Sequence, residues 1–195
     1  MAYTKKETAI KNLIKGKYFD SSNFDNFRDD KDVVLEAVKQ DGWALKYASD
    51  SLKDDKDVVV QAVKQDGRAL VYASDKLKNN KEVVLEAVKQ NGWALEYVSD
   101  SLKNDKEVVL EAVKQNGLAL HYASDSLKND KEIVLEAVKQ NGLALHYASK
   151  SIQSLCENKD PVETLERVIK AEKLSNDLEK SLSKSQSSTK PKLKL

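Results

Sequence analysis

Over residues 106–115, KEVVLEAVKQ, apolar and polar positions recur with the period of an α-helix. At 100° per residue Val108, Val109, Leu110, Ala112 and Val113 cover a broad arc, and Glu107, Glu111, Lys114 and Gln115 fill the rest of the wheel. An apolar arc of that width suits a helix with neighbours on two sides. Asn104 is placed to act as its N-cap, with Glu107 returning a hydrogen bond from N3. Asn116-Gly117 is expected to end it, the glycine taking a left-handed C′ conformation without a Cβ penalty. A second helix is predicted from 118 to about 124, too short to persist without packing by Leu118, Ala119, Leu120, Tyr122 and Ala123. Ala119 and Ala123 would let another helix approach. Asp125-Ser126-Leu127-Lys128 reads as a turn with Leu127 as a buried plug.

This block is copied along the chain. Its glycine falls at Gly42, Gly67, Gly92, Gly117 and Gly142, a step of 25 residues (67 − 42), and Tyr47, Tyr72, Tyr97, Tyr122 and Tyr147 keep the same register. A fixed period in this range marks a stacked repeat architecture. Five units begin at Asp30, Asp55, Asn80, Asp105 and Asp130, and no proline interrupts them. The expected fold is all-α: a short α-solenoid of five two-helix repeats over 30–154, with capping helices at both ends. Residues 1–29 read as an N-terminal capping helix followed by a degenerate half-repeat, in which SNFDNFRDD aligns with YASDSLKDD and Phe27 takes the place of Leu52. Asp160-Pro161-Val162-Glu163 is a helix start, with Asp at the N-cap and Pro at N1. Residues 155–182 are expected to form the C-terminal capping helix, its later half reaching into solvent. Residues 183–195, rich in Ser and Lys, are expected to be disordered.

The unit pattern, (D/N)K(D/E)(V/I)VLEAVKQ(D/N)G-x-AL-x-YAS-D-x-LK, resembles the helical repeats catalogued as domain of unknown function 4116. The likeness covers about 30–154, and both the VLEAVKQNG and the AL-x-YAS segments fit in consecutive units. It implies an α-helical repeat module with no known activity or catalytic residues. Because such repeats occur in intracellular bacteria, protists and giant viruses, it also implies a possible effector setting at a host–microbe boundary. The fifth unit departs at its end, with Lys150 for Asp and Ile152 for Leu, which is where the array is expected to stop.

Charge narrows the partners. Lysine plus arginine (33) nearly cancels aspartate plus glutamate (32), so the net charge of +1 gives no general attraction to nucleic acid or anionic lipid. The single cysteine, Cys156, forms no internal disulfide, and no Asn-x-Ser/Thr acceptor occurs, which suits a reducing compartment. The N-terminal stretch lacks the features of a Sec-type signal, and no apolar run reaches the length of a membrane span. The expectation is a cytoplasmic monomer, in its own cell or in a host.

Comparison of the five copies separates fixed from variable positions. Val34, Ala37, Val38, Gly42, Ala44, Leu45, Tyr47 and Ser49 recur unchanged in every unit, as do Lys39 and Gln40. The apolar members are assigned to the core, and the tyrosines, set beside alanines, with them. Recent duplication accounts for Lys39 and Gln40; the competing reading is a Gln side chain that satisfies the adjacent turn. Two positions of the second helix vary. The first reads Trp43, Arg68, Trp93, Leu118, Leu143, and the fourth reads Lys46, Val71, Glu96, His121, His146. Three apart on a helix, they share a face, and stacking would align them in two rows. This strip is the candidate partner-binding surface, with Trp43 and Trp93 as anchors and Arg68 stacking between them. Neutral drift at half-exposed sites is the competing reading.

Catalysis is not expected. No Ser/His/Asp or Cys/His set, phosphate-cradling glycine loop or HExxH motif is present, and no cofactor is implied. His121 and His146 lie one repeat apart without the partners a shared metal needs, so they read as surface histidines. The acid and lysine runs read as solvated faces and caps. The expected function is a non-enzymatic protein–protein interaction scaffold. The alternatives are a single-stranded RNA-binding repeat protein, disfavoured by the charge balance, and a delivered effector acting on host proteins.

Overall fold

A computed structural model describes residues 26–188. The helix expected over residues 1–19, the first half of the degenerate repeat and the last part of the tail lie outside them. The described residues form a helical array without strands. Each unit contains a ten-residue α-helix, as in Lys106–Gln115, then a six-residue 3₁₀ segment, as in Gly117–Tyr122, then a one-turn α-helix, as in Asp125–Lys128. The long helices pack side by side as one layer and the 3₁₀ segments stack as a second. Between the layers runs one continuous core. In the fourth unit Val108, Val109, Ala112, Val113, Ala119 and Leu120 are fully buried, and their counterparts in the other units join the same cluster. Leu110 is half-buried and Leu127 is buried.

Four local expectations need correction. The N-cap is Asp105, not Asn104: its side chain accepts the N–H groups of Glu107 and Val108, at 3.0 and 3.2 Å. The second helix is 3₁₀ rather than α. Asn116 Oδ1 accepts the Leu118 N–H at 3.0 Å, Asn116 O accepts the Ala119 N–H at 2.9 Å, and Ala123 N–H closes on Leu120 O. These three-residue steps at both ends are the i to i+3 bonds of 3₁₀ geometry. The segment read as a turn around Leu127 is the one-turn helix. Finally, Gly117 is not left-handed. Asn116 ends the long helix in an extended conformation (φ −151, ψ 109), and the glycine is needed for closeness: a Cβ there would meet Ala137 O of the next unit.

Consecutive units are held by the same contacts each time. The Ser124 N–H donates to Lys103 O at 3.0 Å, while its hydroxyl donates to Asn104 Oδ1 at 2.6 Å. The same pair of bonds joins Ser74 to Lys53 and Asp54, Ser99 to Lys78 and Asn79, and Ser149 to Lys128 and Asn129. At the N-terminal edge Ser49 N–H donates to Arg28 O, and Phe27 packs against the core, so residues 27–28 occupy the positions of Leu52 and Lys53. Two of the invariant glutamines reach back across the junction. Gln90 accepts the Gly67 N–H at 2.6 Å and Gln140 donates to Lys114 O at 2.6 Å, which supports a turn-satisfying role over duplication alone.

The lysines and acids are more than a solvated face. Lys31 pairs with Asp55 and Asp57, Lys81 with Asp105 and Glu107, and Lys106 with Asp130 and Glu132. Lys56 pairs with Glu82, since the cap of the third unit is the uncharged Asn80. At Asp55 and Asp105 burial opposes ionisation, but hydrogen bonds from the Lys31 and Lys81 ammoniums and from backbone N–H groups outweigh it and hold both carboxyls below their ordinary range. Hydrogen bonds from Lys106 and Lys173 lower Glu132 likewise. A carboxylate depressed in the folded state stabilises above its unfolded pKa and loses that contribution as pH falls through the folded value. Urea midpoints are therefore expected to stay level from pH 7 to about pH 5 and to fall below about pH 4. A midpoint unchanged down to pH 3 would show that these ion pairs add nothing to stability.

The long C-terminal helix, Pro161–Ser188, starts as expected: Asp160 Oδ1 accepts the Glu163 N–H at 2.7 Å. It lies against Lys131–Gln140 and runs antiparallel to it, because Lys131 pairs with Glu172 while Lys139 pairs with Glu166. Leu165 is fully buried there, whereas Leu174, Leu178 and Leu182 are exposed. Residues 183–188, expected to be disordered, continue the helix. No helix among the described residues is long and apolar enough to cross a membrane.

Candidate functional site

The 3₁₀ layer decides where the candidate strip lies. With three residues per turn, positions i and i+3 eclipse, so the two variable positions of each unit share one edge. Ala44 and Leu45 point into the core, Trp43 is half-buried, and Lys46 is exposed. Along the edge Arg68, Glu96, His121 and His146 are exposed and Val71, Trp93 and Leu118 are half-buried. Leu143 is 61% exposed, since no further 3₁₀ segment follows it.

These side chains reach across unit junctions to the tyrosines. Trp43 meets Tyr72 edge-on at 5.7 Å between centroids and donates from Nε1 to Asp66 Oδ2 at 2.6 Å. Trp93 meets Tyr122 at 6.0 Å, and His121 meets Tyr147 at 4.8 Å. Arg68 lies over the Trp43 ring, 5.5 Å from its centroid, and hydrogen-bonds Tyr97, which raises its pKa. At Tyr122 burial comes first and the Glu96 carboxylate second in raising the phenol pKa. The tyrosines are thus not interior residues. Tyr47 is 37% exposed, and Tyr72, Tyr97, Tyr122 and Tyr147 are half-buried against the core with one flank in the strip. The copies give no sign of this, because the tyrosine is the same in every unit. Asp66 was also missed, though a short carboxylate at a cap position beside an indole in the preceding unit is a readable pairing.

Among the described residues no three His, Cys, Asp or Glu side chains gather to hold a metal ion. Cys156 is buried, and burial pushes its thiol pKa up, away from thiolate reactivity.

The family model described as Domain of unknown function (DUF4116) matches residues 30–78, 55–103, 80–127 and 105–153. The chain belongs to this family. The first DUF4116 match spans 49 residues (78 − 30 + 1), close to two units, and successive matches start 25 residues apart (55 − 30). Each match therefore spans one junction of the array. Comparison with curated proteins and with solved structures finds no match to the chain.

Proposed function

We propose that this DUF4116 array is a non-enzymatic scaffold that binds another protein along the edge of its 3₁₀ layer. One observation carries the reading: the positions of Trp43 and Lys46 vary from unit to unit on an exposed edge, while the residues beneath them are nearly constant. Constant core and variable edge are what a repeat scaffold needs, since stacking fixes the spacing and the edge supplies the specificity. Trp43 and Trp93 are the anchors, large aromatics that dominate interface energetics when a partner covers them.

Replacing Trp43 and Trp93 together by Ala is expected to abolish capture of the partner in a pull-down while the helical circular dichroism persists. Capture undiminished in the double variant would refute the strip. Because Trp43 also bonds Asp66 and Tyr72, the melting curve of the variant is measured alongside, separating lost contact from lost fold.

A further inference from the structure

We infer that Arg68 is a receptor for a side-chain carboxylate of an acidic peptide segment lying on the strip; this rests on the reading that the strip binds a protein. The Arg68 guanidinium is exposed yet lies against a fixed surface. It stacks on Trp43, which is itself held by Asp66 and Tyr72. Asp66 Oδ1 accepts the Arg68 backbone N–H at 2.9 Å and Oδ2 accepts Trp43. Asp66 and Glu96 act on the guanidinium only from a distance, and among the described residues no carboxylate pairs with it directly.

An ordered guanidinium without a carboxylate partner presents its planar fork to one, and the ordering entropy is already spent. Only the second unit carries arginine at this position; the others have Trp or Leu. The receptor therefore marks one place along the strip, with Val71 and Trp93 offering apolar contact beside it. Glu96, exposed on the same edge, would repel a continuous phosphate chain, which favours a peptide whose discrete acids can avoid it over RNA.

The chain's two tryptophans, Trp43 and Trp93, both lie in the strip, so their emission reports occupancy directly. The full chain is titrated with a short peptide carrying paired glutamates followed by leucines, with the same peptide bearing lysines instead, and with oligo(U). The glutamate peptide is expected to shift the emission. Its affinity should fall about tenfold or more in Arg68→Gln and stay low in Arg68→Lys, which keeps the charge but loses the fork. Equal binding of the lysine peptide, unchanged affinity in Arg68→Gln, or no peptide binding at millimolar concentration overturns the receptor. Lysine-peptide binding that Trp93→Ala abolishes would leave the strip standing while the receptor falls. Binding of oligo(U) alone, or glutamate-peptide binding detected by calorimetry and unaltered in the Trp43→Ala/Trp93→Ala variant, would sink both.

Discussion

Gly117→Ala is expected to destabilise the array by about 3 kcal/mol, at the upper end of overpacking costs, while Gly142→Ala leaves its urea midpoint near that of the wild type. The new Cβ of residue 117 would sit against Ala137 O, with Asn141 N 3.1 Å and Ala137 C 3.2 Å away. These are backbone atoms, and Ala137 O is already the acceptor of the Asn141 N–H at 2.9 Å, so it cannot withdraw without opening the end of its own helix. Gly42, Gly67 and Gly92 face the carbonyls of Ala62, Ala87 and Ala112 in the same way. Gly142 has no such neighbour, because no sixth unit follows and the antiparallel C-terminal helix brings no backbone atom into the notch. The pair of variants separates two mechanisms. A left-handed turn would make all five glycines equally intolerant of a Cβ; close approach exempts the last.

What the sequence disclosed, and what it withheld, follows from the range of the forces involved. The 25-residue period and the apolar arc around Val108, Val109, Ala112 and Val113 are local and repeated, so the all-helical array was legible. The N-cap was not, because Asn104 and Asp105 are both competent caps. Contacts 20 and 22 residues away, with the Ser124 and Ser126 hydroxyls, engage Asn104 and leave the cap to Asp105. The 3₁₀ segment was missed for a related reason: GLALHY has no local bar to an α-helix, and the bonds from Asn116 set its pitch. Variation among the copies found Trp43, Arg68 and Trp93, but it could not find Tyr72, Tyr97 or Tyr122, which never vary.

Deleting residues 80–104, one unit in phase (104 − 80 + 1 = 25), is expected to leave a folded array whose thermal midpoint is lower by roughly 5–10 °C. Deleting residues 80–91 alone should abolish the cooperative transition. In the first deletion each severed contact finds a partner of the same kind. Asn79, which accepts the Ser99 and Ser101 hydroxyls, meets Ser124 and Ser126 instead, and Lys56 exchanges Glu82 for Glu107. The Gly67 notch receives Ala112 O in place of Ala87 O, and Trp43, Asp66 and Arg68 are untouched except that Arg68 meets Tyr122 rather than Tyr97. The shorter deletion removes a long helix yet keeps its 3₁₀ segment. Gly92 and Leu95 then keep only the helix of the fourth unit to pack on, and the chain enters that unit out of register. A thermal transition in the shorter deletion as cooperative as in the longer one would mean that the units are not bound by these junctions, and the strip would lose the fixed spacing on which recognition depends.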